Sequence, residues 1–188
     1  RSRALMDRAR TELNQPLRGP IADHPAWQSL QAAAAADLWD PTPHRAQAEW
    51  AAALAESAPG EQALSLRRAA LDAIDAATRR DPVSVQLWRM RGDIALAIAR
   101  ITQDAGDFIE AISPAAQVVK LYPANPPDMV RLGELSLEAS GSIGLVEMSG
   151  QLHYQGVTFL TSALAIDDQR LPWEEFHRFT AAEKDAIR

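Results

Sequence analysis

The side chains best equipped for chemistry are four histidines and a few carboxylate pairs, and their spacing does not assemble them. His24, His44, His153 and His177 have no histidine partner three to five residues away, so no helix face presents a zinc-binding pair. His24 and His44 stand beside proline turns, where capping or surface roles are expected, and His153 fits either a buried or a solvated helix face. Glu174, Glu175 and His177 lie close enough to gather around a metal. With Trp173 and Phe176 among them, they read instead as a solvated helix start whose aromatic rings dock on the core. The pairs Asp104/Asp107 and Asp167/Asp168 fall at expected helix ends, where carboxylates cap N–H groups or stay hydrated. Gly141-Ser-Ile-Gly144 has no preceding strand and no following lysine, so it reads as a turn rather than a phosphate cradle. There is no Gly-x-Ser-x-Gly elbow. Absence of cysteine removes disulfides, thiolate metal sites and a cysteine nucleophile. The expectation is a non-catalytic protein with no cofactor and no metal site.

The charge narrows the partner class. A net charge of −6 and a pI near 5.2 argue against nucleic acid, whose phosphates require a basic surface. The first twenty residues are the exception, with five arginines against Asp7 and Glu12. Two readings stay open for them. One is the solvated face of a short helix; the other is a juxtamembrane segment on the cytoplasmic side of a span in a longer protein. No apolar run within the sequence approaches the roughly 18 residues that cross a bilayer.

What must position these side chains is a repeat. Pro41, Pro82 and Pro123 stand 41 residues apart, and Asp168 follows 45 residues later. Twelve, eight and five residues before each mark stand Ser29, Ala33, Ala36; Ala70, Ile74, Ala77; Ala111, Ala115, Val118; and Gly156, Leu160, Ala163. A fixed period of this size marks units that cannot bury their apolar faces alone and must stack. Composition agrees, because Ala, Leu, Arg, Gln and Glu are strong helix formers and no strand-like alternation survives.

The periodicity predicts helices over 2–15, 25–38, 42–58 and 61–80, and then from Ser84 to about 102. Pro25 sits at a first helical position, and Thr42 and Ser84 are expected caps. The next helix contains Ser113-Pro114, where a kink or break is expected. Helices follow over Met129–Ala139 and up to Ile166, and Thr180-Ala-Ala-Glu183 has capping-box spacing for a short terminal one. Short connections make consecutive helices antiparallel hairpins. The tryptophans at 27, 39, 50, 88 and 173 read as packing residues, with Trp39 the most exposed.

These residues resemble the tetratricopeptide family. Ala70, Ile74, Ala77 and Pro82 take its second-helix and terminal positions, Trp88 and Gly92 open the next unit, and Met129, Leu132 and Gly133 repeat that opening. The unit here is longer than the family's ~34 residues. The usual first-helix aromatic is replaced by Leu54, Ala95 and Ser136, and Arg91 occupies a normally apolar position. The resemblance implies an all-α, tetratricopeptide-like α-solenoid of antiparallel hairpins with a period of about 41 residues. Its regions would be a basic helix and linker (1–20), the repeats (21–168) and a capping segment (169–188).

It further implies a scaffold that binds a protein or peptide in a groove of first helices. Transferred to this chain, the groove positions are Arg45 and Glu56; Gln86, Arg89 and Asp93; and Val130, Glu134 and Glu138. The Asn and Lys set that grips a peptide carboxylate is absent, and the mildly acidic groove suits a partly basic or apolar segment. A second resemblance lies in Ala111–Pro123, in Ala163-Leu-Ala-Ile-Asp-Asp and in Leu171-Pro-Trp-Glu-Glu-Phe. These are similar to the tail of bacterial O-antigen ligase/polymerase-type membrane proteins. That similarity implies an accessory domain tethered to a membrane protein.

Overall fold

Strong helix formers punctuated by short proline links leave a chain little choice but helical hairpins. The computed structural model describes residues 2–13, 15, 17, 19–141, 148–170 and 178–188. Among them every regular element is helical. The α-helices are α1 (Ser2–Glu12), α2 (Pro25–Ala36), α3 (Thr42–Ser57), α4 (Gly60–Arg80), α5 (Val85–Thr102), α6 (Ala105–Leu121), α7 (Pro126–Ser140), α8 (Ser149–Asp168) and α9 (Ala181–Ile187). α1 ends at Glu12 and α2 at Ala36, short of the expected 15 and 38, and α7 starts three residues earlier, on Pro126.

Two compact units divide the chain, Arg1–Ile101 and Thr102–Arg188. In the first, α1 packs on α2 and α3 on α4, and the two hairpins meet through α2 and α3. Its core is built from Trp27 on α2, Ala48 and Ala51 on α3, Ala70, Ile74 and Ala77 on α4, and Leu87, Ile94 and Ile98 on α5. In the second unit α7 packs on α6 and α8, with α9 at the end of α8. The small-residue code is the buried code: Ala33, Ala70, Ile74, Ala77, Ala111 and Ala163 are fully buried. Ala36 departs from it, because α2 ends there in solvent.

Caps and links explain where helices start. Gly60 opens α4 at φ +36°, a region that favours glycine. Asp104 accepts the N–H groups of Gly106 and Asp107 at 2.8 and 3.3 Å, and so caps α6. The Ser84 hydroxyl accepts the Leu87 N–H at 3.4 Å. The expected Thr42 cap moves back two residues: Asp40 accepts the Thr42 N–H at 2.9 Å, and Thr42 is already helical. Of the kink or break expected at Pro114, the break does not occur. α6 runs unbroken through it, and the ring is fully buried, so packing offsets the missing hydrogen bond.

Side chains tie hairpins together where spacing alone gave no hint. The Arg80 guanidinium, at the end of α4, donates to the carbonyls of Ala34, Asp37 and Asp40 at 3.1, 3.3 and 2.8 Å. It thereby satisfies orphan acceptors at the end of α2. Arg91, out of place by the repeat code, forms an ion pair with Asp75 on α4. At the far end, Asp167 is fully buried; it accepts the Phe179 N–H at 2.9 Å and pairs with Lys184 of α9 at 2.9 Å. The Thr180–Glu183 capping box that starts α9 is formed in both directions.

Candidate functional site

The first unit contains a cleft between α1 and α3, with α2 behind it. Met6 and Ala9 line it from α1 and Leu13 from the turn after it, Leu30 from α2, and Ala46 and Trp50 from α3, while Arg10, Thr42, Arg45 and Glu49 add polar lining. Its volume is about 410 Å³. A second cleft of about 420 Å³ shares Met6, Arg10 and Thr42 with it and brings in Asp7, Asp37 and Asp40. α1 presents this wall because Met6, Ala9 and Leu13 recur at helical spacing on one face.

Side-chain hydrogen bonds hold the walls. The Ser29 hydroxyl donates to Glu12 at 2.7 Å and binds α1 to α2. This bond, and then the Arg8 guanidinium at 2.8 Å, hold the Glu12 carboxyl below the usual carboxylate range. His24 caps α2: its Nδ1 accepts the Ala26 N–H at 3.2 Å, which leaves Nε2–H to donate to the Gln15 carbonyl at 3.2 Å. The buried His24 ring lies 4.7 Å from Trp50, and Trp27 lies 6.4 Å from the same indole. Trp50 is therefore fixed from behind by two rings. Gln47 donates to the Trp27 carbonyl at 3.4 Å and bonds His44 at 3.1 Å. Burial pushes the His44 imidazole down, against the opposing pull of that Gln47 bond.

Arg45 sits on the rim of the cleft, paired with Glu49 at 2.7 Å and reaching Gln86 of α5 at 3.5 Å. The structure thus brings together two of the residues named from sequence. Glu56 on α3 and Gln86, Arg89 and Asp93 on α5 are exposed. Val130, half-buried, and Glu134 and Glu138, exposed, belong to α7 in the second unit. The α1 side of the cleft was absent from the sequence-derived groove, although the apolar face of α1 was visible in its spacing. Trp173, Glu174, Glu175, Phe176 and His177 lie outside the described residues, as do Ser142, Ile143 and Gly144. Trp39 is exposed, as expected, at 86%. Among the described residues no helix is long and apolar enough to cross a membrane.

Comparison with known proteins bears on the fold. No protein-family model matches the chain, and no curated protein matches it. The resemblance to O-antigen ligase-type tails has no counterpart in these comparisons. Among solved structures, the chain is similar to the crystal structure of MamA, with a TM-score of 0.56 and 14% sequence identity. The similarity covers 89% of this chain and 79% of that one. MamA is a tetratricopeptide-like helical-repeat protein, and the likeness is one of fold. The chain has the tetratricopeptide-like helical-repeat fold.

Proposed function

We propose that this chain is a non-catalytic scaffold that takes a protein or peptide segment along its first helices. The observation that carries the proposal is the α1–α3 cleft, with its apolar floor, a rim of mixed charge, and walls braced by α2. Preorganised walls reduce the ordering cost of binding. Both rim arginines, Arg10 and Arg45, have an intramolecular acidic partner. A segment with apolar side chains and few or no acidic ones therefore fits better than an acidic tail. Glu56, Arg89 and Asp93 extend this reading along α3 and α5; in the second unit, taken by itself, Glu134 and Glu138 are the proposed partner-contacting residues of α7. In the same reading, residues 1–20 form a basic helix and linker, 21–168 the repeats, and 169–188 a capping segment.

The test uses a partner recovered by pull-down with the whole chain. Ala46→Glu places a charge on the cleft floor, and charge reversal at Arg89 and Asp93 alters the α5 surface. Both should weaken that partner's binding at least tenfold with an unchanged melting temperature. Undiminished binding by both variants would reject the groove.

The finer reading places the chain within a larger bacterial envelope protein, as an accessory or regulatory domain of an O-antigen ligase/polymerase-type enzyme. It draws on the motifs at Ala111–Pro123 and Ala163–Asp168. A membrane span ahead of Arg1 in the full-length gene product favours that reading, and a soluble full-length product favours the free adaptor.

A further inference from the structure

The outer face of α8 differs from what the end of a helical stack requires. Terminal units of such arrays carry a polar outer face to stay soluble. Between Ser149 and Ile166, however, α8 has no Asp, Glu, Lys or Arg. Gly150, Tyr154, Val157, Thr161 and Ala165 are all exposed, and their spacing of three and four residues places them on one stripe. Tyr154 is 72% exposed and Val157 46%. The hydroxyls of Thr158, Thr161 and Ser162 donate to the carbonyls of Tyr154, Val157 and Thr158 at 2.8 Å each. They need no outside partner, so the face can lose water without stranding those donors.

We propose that this stripe is a self-association surface on which α8 of a second copy packs antiparallel about a twofold axis. A twofold interface must be complementary to itself. An axis passing between Val157 and Thr158 sets Tyr154 opposite Thr161, and Gly150 opposite Ala165. Large therefore meets small on both halves, as packed helices require. Each chain carries a net charge of −6, which opposes self-association. An uncharged helix face is where two such chains can meet without direct like-charge contact. Asp168, at the end of the stripe, is already held by Lys184. A single 20-residue helix spans roughly 30 Å, so the contact is small and the dimer weak, with a Kd of about 1 μM or higher.

Sedimentation equilibrium of the whole chain tests this. The wild type should show a concentration-dependent monomer–dimer equilibrium. Val157→Lys and Val157→Glu should each be monomeric with an unchanged melting temperature, because like charges then meet beside the axis. Mixing the two variants in equal amounts should restore a dimer, since Lys now faces Glu. A wild type that stays monomeric up to about 1 mM overturns the proposal, as does a dimer insensitive to both variants. Failure of the mixture to re-form a dimer overturns the twofold arrangement.

Discussion

The α3/α4 and α7/α8 hairpins occupy the same places in the repeat yet close their seams differently. In α3/α4, the register positions are Ala51 and Ala70, both fully buried. In α7/α8, the same positions are Gly133 and Gly156. A Cβ on Gly156 would lie 2.9 Å from the Gly133 carbonyl oxygen, and one on Gly133 would lie 3.0 Å from that of Gly156. These backbones touch, and no side chain could move aside to admit a methyl. The first hairpin is zipped by methyl groups and the second by main chain. The two also differ in how their ends are tied: α4 reaches back through Arg80 to neutral carbonyls, whereas α8 reaches on through the buried Asp167 to a cation.

The largest effect should come from exchanging the two kinds of seam. Gly156→Ala adds a methyl against a fixed carbonyl. Overpacking costs up to about 3 kcal/mol, and better helix propensity returns about 1, leaving a loss of about 2 kcal/mol. Ala70→Gly only removes a methyl and loosens the backbone, for about 1 kcal/mol or somewhat more. Urea unfolding monitored by circular dichroism measures both. A neutral Gly156→Ala would show that the main-chain seam has slack, and the contrast between hairpins would collapse.

A smaller and local effect should follow Arg80→Met. The carbonyls of Ala34, Asp37 and Asp40 lose their donor, but water reaches this half-exposed site, so the loss is about 1 kcal/mol. Hydrogen exchange should quicken in the last turn of α2 and not within α7/α8. Uniform quickening would mean that Arg80 supports the whole unit rather than one helix end.

The smallest effect at neutral pH concerns the ends. Burial pushes the Asp167 carboxyl up, but the Lys184 ammonium and the Phe179 N–H outweigh it and leave it below the usual range. A depressed acid stabilises the fold above its unfolded pKa, and that contribution is lost as pH falls through the folded value. α9 should therefore stay protected at neutral pH and release only below about pH 4. Glu12, depressed by Ser29, should release α1 in the same acid range. Exchange rates of α1 and α9 that stay flat from neutral pH down to about pH 2 would break this prediction.

The sequence disclosed what depends on spacing. The 41-residue step, the buried small-residue code, the Thr180–Glu183 capping box and the exposure of Trp39 are all properties of position along one chain. It did not disclose what depends on reach. Arg80 meets a carbonyl 46 residues away, and no pattern of residue types marks a carbonyl as needing a donor. Arg91 was conspicuous as a charge in an apolar place, but its partner Asp75 looked like any other helix carboxylate. The α1 wall of the cleft was hidden for another reason. Its arginines mark α1 as a charged helix, and the same helix sets Met6 and Ala9 into the cleft beside Arg10. Pro114 shows the converse, in that a helix runs on through a residue able to break it, with the ring fully buried.

The Arg80 contact also sets an order of events during synthesis. The last turn of α2 depends on a donor that is made 46 residues after its acceptor at Ala34. While the chain is being extended, the first hairpin must wait with a frayed end until the whole of α4 has left the ribosome. At about 5–20 residues per second, that delay lasts several seconds. α2 and α4 are thus tied in space and also ordered in time, the later helix completing the end of the earlier one.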